Sequence, residues 1–371
     1  MAKNTFYWQK ILFIGKKLVK IFELIVFLLL KSVVKILINF VFVTIITMWK
    51  RLIKPATRYP WLARASYNLL GANVTDKLLE RTVYPIYCGS NDPDILGKQI
   101  ERLSDSGVKT ILHLALEDHR LYSPEKYSET LFRVMPSLQR EDVVAIKLTG
   151  LVDRQLLIDN CSDLSRTVIP LIQPIIENCV QKGLLLTIDA EESLLEEGIR
   201  RVTLDLMRMY NRGRVVVYQT YQCYLKTTLE KILDDLELSK REDFLLGAKL
   251  VRGAYMEWEL RQPDPKVWLY INSTAQCYNS AAELLMESRC SLILATHNNE
   301  AVRHLSAKAD EMEVKPKFAQ LLGLNDRLTG QLVTSGQSVY KFVPFGPTRV
   351  VIPYLLRRLE ENSELVKHTF Y

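Results

Sequence analysis

Near the C-terminus, the stretch YLLRRLEEN over residues 354–362 spaces Tyr354, Arg357, Arg358 and Glu361 three and four positions apart. On a helix that spacing gathers them on one face, while Ile352, Leu355, Leu356 and Leu359 turn the other way. Two neighbouring guanidiniums beside a phenol suit an anion, because each offers a planar, permanently charged fork. The same face also reads as a solvated surface, with an Arg357–Glu361 ion pair worth little. The position of the helix decides between the two.

A second set of polar residues lies at the ends of short apolar runs. Glu117 closes TILHLALE (110–117), Lys147 follows VVAI within 143–150, and Asp189 falls in LLLTIDA (184–190). Gln219 lies in VVVYQTY (215–221), Lys249 and Arg252 in GAKLVRG (247–253), and Thr296, His297 and Asn298 end SLILATHN (291–298). KFAQLLG (317–323) and VYKFVPFG (339–346), the latter running into the loop PFGPT, complete eight such runs. They are continuously apolar rather than alternating, which marks a parallel sheet covered by helices. Between them, segments such as EEGIRRVTLDLMRMYN space apolar residues as a helix does. Eight strand–helix units in succession predict an α/β fold, a (βα)8 TIM-type barrel over residues 109–371. A helical preamble over 61–108 precedes it, with GSNDPD as a loop. No GxGxxG follows a strand, so a Rossmann nucleotide site is not indicated.

A barrel of this kind keeps its chemistry at the C-terminal ends of its strands, and the polar residues fall there. Such groups are costly at the end of an apolar strand unless they are paired or used. Each also has a purely structural reading. Lys147 can be a strand-end charge, His297 a core histidine, and Asp189 the cap of a helix beginning at Glu191. Glu191 and Glu192 then occupy the first turn of that helix, where acids suit the dipole. The convergence of all these residues on one rim favours a site.

Composition narrows the function classes. The net charge of +7 is misleading: residues 1–60 hold eleven Lys/Arg against the single acid Glu23, a local +10, so the remainder carries −3. The body has no electrostatic footprint for nucleic acid. The six cysteines, Cys88, Cys161, Cys179, Cys223, Cys277 and Cys290, form no CxxC pair and have no histidine at metal-ligand spacing, so buried free thiols are expected and no metal site. No Ser–His–Asp or paired-carboxylate arrangement points to a hydrolase. Residues 1–60 are strongly apolar, but Lys31 and Lys35 interrupt them, and the uncharged run Ile36–Trp49 is shorter than the roughly 20 residues of a simple spanning helix. A membrane-embedded anchor, a basic amphipathic surface helix and an organelle-targeting leader all fit; lysine in place of arginine and serine favours a retained anchor.

The ordered motifs IKLTGL, TIDAEE, YQTY, AKLVRGAYMEWE, ATHN and YLLRRLEEN resemble the proline dehydrogenase family, in that family's order, over about residues 84–365. The resemblance implies a distorted barrel binding FAD at the strand C-termini, oxidising L-proline to 1-pyrroline-5-carboxylate and passing electrons to a membrane quinone. It further implies catalytic roles for Asp189 and Lys249, with Lys249 at the position facing flavin N5, where bacterial members carry arginine. Cofactor contacts are implied for Ala190, Gln219 (pyrimidine edge), Arg252, Gly253 and Ala254 (close backbone approach), Thr296 and His297 (ribityl-phosphate region) and Leu321 (apolar wall). Lys147, Arg357 and Arg358 would clamp the substrate carboxylate, Glu117 would pair with Arg357, and Tyr255, Phe342 and Tyr354 would wall the small ring. A mitochondrial location, at the inner membrane, follows from the same resemblance together with the N-terminal segment. The long bifunctional relatives continue into an aldehyde dehydrogenase domain; this chain ends at Tyr371, so the expectation is that product passes to a separate enzyme.

Two positions depart from the family pattern. Phe342 stands where proline-specific members usually carry tyrosine and hydroxyproline-preferring relatives a smaller polar residue. His113 stands where aspartate is usual on the first strand. They keep two alternatives open: a dehydrogenase for hydroxyproline or another cyclic imino acid, and a membrane-anchored, non-catalytic relative.

Overall fold

The computed structural model describes Gly71, residues 75–77, Glu80, and residues 84–116, 120–268 and 271–361, all within the unit Arg64–Tyr371. The basic apolar N-terminal segment and Glu117 lie outside the described residues.

Eight parallel strands close into a barrel in sequence order. They are β1 (Val108–Leu114), β2 (Val143–Ile146), β3 (Leu185–Ile188), β4 (Val217–Gln222), β5 (Gly247–Val251), β6 (Ser291–Ala295), β7 (Lys317–Leu321) and β8 (Ser338–Phe345). Each of the eight apolar runs supplies one strand. The seam pairs β1 with β8 from Val108↔Val339 to Leu114↔Phe345. Side chains alternate between the lumen and the helices. Ile111, Val143, Ala145, Leu185, Tyr218, Ile293, Ala319 and Tyr340 fill the lumen. Their sequence neighbours Leu112, Val144, Leu186, Val217, Leu292, Phe318 and Val339 join the larger core under the helices. Both faces are dry, which is why the strands are apolar throughout.

Local chemistry sets the helix ends. Asp92, Ser123, Asp153 and Asn298 each accept a backbone N–H at the start of the helix that follows, namely Pro93–Asp105, Pro124–Val134, Arg154–Asp159 and Asn299–Glu311. The helix Leu164–Lys182 stops at Gly183, whose φ of 70° admits glycine without strain. The helix Glu196–Tyr210 presses so closely on Arg154–Asp159 that a Cβ at Gly198 would stand 2.2 Å from the Leu157 carbonyl oxygen.

The N-terminal end of the barrel is closed by satisfied polar groups. Asp142 accepts from the amides of Thr110 and Gln139, each at 2.8 Å. Asn211, fully buried, donates to the carbonyls of Val217 (2.8 Å) and Leu245 (2.9 Å) and accepts from the amides of Val216 (2.9 Å) and Val217 (2.8 Å). On the helix side, Asp235 is held by Arg200 and by the Tyr221 hydroxyl at 2.7 Å. These groups serve stability, which leaves the opposite rim for chemistry. There the last helix, Thr348–Glu361, follows β8 directly and buries Val351, Ile352, Tyr354 and Leu355 while leaving Arg357 and Arg358 half-buried.

Candidate active site

The C-terminal rim gathers charged residues from several strands. Lys147 comes directly after β2, Asp189 directly after β3, and Lys249 from the middle of β5. The Lys249 ammonium donates to Asp189 Oδ1 at 2.5 Å, with the two residues only 4% and 7% exposed. His113 reaches in from β1, its Nδ1 3.2 Å from the Ala145 carbonyl and 4.0 Å from Asp189 Oδ2. Burial pushes the Asp189 carboxyl up, but Lys249, His113 and Lys147 outweigh it and hold it below its ordinary value. Asp189 is therefore a buried carboxylate at neutral pH.

Aromatic rings connect this pair to the other cations. The Lys147 ammonium donates to the Tyr255 hydroxyl at 2.6 Å. The Arg357 guanidinium lies 5.9 Å from the ring centres of both Tyr255 and Tyr354, and that of Arg358 lies 5.3 Å from Tyr354. Tyr354 reaches down to His113 (5.6 Å between ring centres), His113 to Phe342 (5.1 Å), and Phe342 lies 5.3 Å below the Lys249 ammonium. Contacts of this kind are favourable for cations over aromatic faces. One unbroken run of contacts thus joins Lys147, Tyr255, Arg357, Arg358, Tyr354, His113, Phe342, Lys249 and Asp189. The expectation of a wet Tyr354 face is replaced: Tyr354 is 5% exposed and forms part of the roof.

The other side of the rim presents further hydrogen-bonding groups. His297 Nε2 accepts the Leu321 N–H at 3.0 Å, which places the ring proton on Nδ1, a buried atom with no hydrogen-bond partner among the described residues. Burial and Lys341 push the His297 pKa down to about 4, so this imidazole is neutral. Thr296 Oγ1 accepts the Asn298 amide at 3.1 Å. Arg252 lies with its guanidinium 4.9 Å from the Tyr278 ring centre, and its Nε is buried without a partner among the described residues. A Cβ at Gly253 would meet nothing nearer than 3.9 Å, so protein packing alone does not demand the bare backbone there. Ala190, Ala254 and Leu321 are half-buried at the ends of β3, β5 and β7.

Two readings need correction. Gln219 pairs in register with Ile188 and Ala248, both of the helix-side core, so β4 carries it on the helix side of the sheet. The glutamine on the lumenal line is Gln222, in line with Thr220 and Lys249; its amide donates to the Glu191 carbonyl at 2.5 Å. No helix begins at Glu191: a turn, Ser193–Leu195, intervenes, and the helix starts at Glu196. Asp189 therefore caps nothing, and the buried Glu191 carboxylate accepts instead from the Thr149 hydroxyl (2.7 Å) and amide (3.3 Å). The suggested partners of Arg357 are not described: Glu117 lies outside the described residues, as does the Glu361 side chain. Two residues escaped the sequence reading altogether. Gln222 was findable only by knowing which strand face is inward, and Glu259, buried at 1% exposure against Ser193, had no local signal.

Residues 96–369 match the family model described as proline dehydrogenase. Among curated proteins, the chain is 34% identical over 227 residues to "Proline dehydrogenase 1, mitochondrial" of Drosophila melanogaster, covering 55% of this chain and 33% of that protein. It is 35% identical over 213 residues to the Homo sapiens protein of the same description, covering 52% and 35%. It is 29% identical over 297 residues to "Carbapenem antibiotics biosynthesis protein CarD" of Pectobacterium carotovorum subsp. carotovorum, covering 76% and 79%. The chain thus spans about a third of the length of the mitochondrial relatives it matches. Among solved structures, proline utilization A from Bdellovibrio bacteriovorus inactivated by N-propargylglycine superposes with a TM-score of 0.67 at 17% identity, covering 74% of this chain and 32% of that one. A bifunctional proline utilization A gives 0.65 at 21%, covering 83% and 34%. At these identities the structures establish the shared barrel fold.

Proposed function

The chain belongs to the proline dehydrogenase family, and from that premise we propose that it oxidises L-proline to 1-pyrroline-5-carboxylate with FAD as its resident acceptor. The observation that carries this reading is the shelf of three cations, Lys147, Arg357 and Arg358, set among Tyr255 and Tyr354 beside the buried Asp189–Lys249 pair. A compact zwitterionic ring fits such a shelf: its carboxylate meets the cations and its apolar carbons meet the aromatic walls.

The rim fits a flavin nucleotide on its own chemistry. His297 Nδ1–H and Arg252 Nε–H are buried donors without an acceptor among the described residues, and the backbone at Gly253 stands open. Thr296, His297, Arg252, Gly253, Ala254, Ala190 and Leu321 would hold the cofactor, with a lumenal glutamine supplying an amide. When bound, the flavin would supply the two-electron acceptor for the hydride leaving the ring CH2 next to nitrogen, with the nitrogen giving up its proton as the C=N bond forms. The chain's own residues do the rest. Lys147, Arg357 and Arg358 fix the carboxylate and so the orientation of the ring. Asp189 fixes the direction of the Lys249 ammonium, a positive charge held where the reaction concentrates negative charge. Tyr354, together with the last helix, covers His113 and keeps water from the floor. A membrane quinone would be the final acceptor, and the basic apolar N-terminus would bring the barrel to a mitochondrial membrane, most simply the inner one. Among the described residues no helix is long and apolar enough to cross a membrane.

Purified protein should carry a visible flavin band that bleaches on adding L-proline and recovers with a quinone analogue; a flavin-free protein, or a band that proline leaves untouched, contradicts the reading. Proline and hydroxyproline differ in the group they bring against Phe342. Phe342 offers the ring pocket an apolar face with no hydroxyl, lying under Lys249 and against His113. If hydroxyproline bleaches the flavin faster than proline does, the substrate is the hydroxylated ring.

A further inference from the structure

After β5 the chain makes an excursion over residues 252–268 before the helix Ile271–Glu287 begins. It carries Arg252, Gly253, Ala254 and Tyr255 along the rim and is fastened at two places. At its far end the Lys226 amide donates to the Lys266 carbonyl (3.0 Å) and the Trp268 amide to the Tyr224 carbonyl (2.8 Å), around the antiparallel bridge Leu225↔Val267. At its near end stands Glu259, a carboxylate that the proposed reaction leaves unused and that is only 1% exposed. One of its oxygens accepts the Ser193 N–H at 2.7 Å, and the other accepts the Ser193 hydroxyl at 2.7 Å.

The placement of this clasp connects the two halves of the site. Ser193 lies four residues beyond Asp189 and opens the turn Ser193–Leu195, whose first amide has no acceptor inside its own turn. Glu259 lies four residues beyond Tyr255, and its N–H donates to the Tyr255 carbonyl at 3.0 Å. β4 separates β3 from β5, so the clasp ties two loops that the sheet does not bring together. Two bonds to one residue fix direction as well as distance, whereas a single contact would leave the turn free to pivot. Tyr255 and Met256 pack against Tyr224, Leu225 and Val267, and the turn they begin is closed by the Glu259 N–H on the Tyr255 carbonyl, so the direction of that turn is set at both ends.

We infer that Glu259 is a positioning residue of the site: by holding the β3 loop at Ser193 it fixes the turn from which the Tyr255 hydroxyl meets the Lys147 ammonium and the Tyr255 ring meets Arg357. The inference rests on the functional reading above. A misplacement of this kind, remote from the reacting atoms, costs up to about 100-fold. In the full chain, Glu259→Ala should therefore raise the KM for L-proline roughly 10- to 100-fold with flavin content retained. Glu259→Gln, which keeps one acceptor oxygen, and Ser193→Ala, which keeps the amide, should each fall between wild type and Glu259→Ala. In a Tyr255→Phe background the same Glu259→Ala change should add less than it does in wild type, because the part of its effect that runs through that hydroxyl is already lost. Hydrogen exchange at residues 253–260 should be faster in Glu259→Ala and unchanged in Tyr255→Phe. An equal loss in both backgrounds, a loss of flavin with KM unchanged, or unaltered exchange would overturn the assignment. If wild-type flavin fails to bleach with proline, the functional reading fails, and the exchange measurement still decides whether the clasp holds the turn.

Discussion

Asp189→Asn isolates the buried pair at the centre of the site. Asp189 and Lys249 are 7% and 4% exposed and 2.5 Å apart, so neither charge can turn to water when its partner is neutralised. Breaking a buried pair from one side typically costs about 3–5 kcal/mol. Asparagine preserves the shape and one acceptor oxygen for the Lys249 ammonium, which places the expected loss at the lower end, about 3 kcal/mol. The pH dependence follows from the direction of the shift. The folded-state pKa of Asp189 lies below its ordinary value, so the stabilisation is complete above the unfolded value of about 3.9 and is lost as pH falls through the folded one. Protonated aspartate resembles asparagine, so the gap between wild type and variant should close across that acidic window. Urea unfolding of both proteins in a series of buffers from pH 7 downward reads the gap directly. A difference within about 0.5 kcal/mol at pH 7, the usual scatter of unimportant substitutions, refutes the reasoning, and so does a gap that acid leaves unchanged.

Three other outcomes follow from groups away from the pair. Asn211→Ala removes four hydrogen bonds and strands buried backbone groups of β4 and Leu245; at about 1 kcal/mol net for each bond, urea unfolding should register a loss of about 4 kcal/mol with flavin binding unaltered in the protein that remains folded. Asp235→Asn weakens the charged hydrogen bonds to Arg200, which stays partly exposed and keeps Glu197 at 3.6 Å, and the unfolding midpoint should drop by the equivalent of about 1.5–3 kcal/mol. His297 is held neutral in the fold with its pKa pushed down to about 4. Between that value and the ordinary 6.5, the unfolded chain binds the extra proton, so stability falls as pH drops through the window, by up to about 3 kcal/mol. His297→Asn should flatten that part of a stability-against-pH curve measured by thermal or urea unfolding.

The barrel was legible because its eight strands are buried on both faces and so stand out as apolar runs, with polar residues such as Lys147, Asp189 and Lys249 at the C-terminal rim. That same double burial hid which way each side chain points. A run such as VVVYQTY shows no alternation, so the resemblance puts the flavin-contacting glutamine at Gln219, whereas the register gives the lumenal place to Gln222. Local pattern also misled at DAEES, where two acids before a helical stretch resemble a first turn. Glu191 is instead drawn down to Thr149, a residue 42 positions earlier, and the helix waits until Glu196. The cations of the site were found because ordered motifs carried them, and Lys147, Tyr255, Arg357, Arg358, Tyr354, Phe342, Lys249 and Asp189 do meet in one contact chain. Glu259 left no trace of its role, since its partner Ser193 lies 66 positions away and neither residue's neighbours imply the other.

The proposal that Lys147, Arg357 and Arg358 bind the substrate carboxylate is tested most directly by proline titration of the flavin band in wild type, Arg357→Ala and Arg358→Ala, alongside a carboxylate-blocked proline. A hydrogen bond between charged groups contributes about 1.5–3 kcal/mol, or roughly 10- to 150-fold in affinity. Each variant should therefore keep its flavin while its half-bleaching concentration for proline rises by about that factor, and the blocked analogue should bind wild type as weakly as proline binds the variants. Loss of flavin with proline affinity intact, or a blocked analogue that binds as well as proline, would contradict the account.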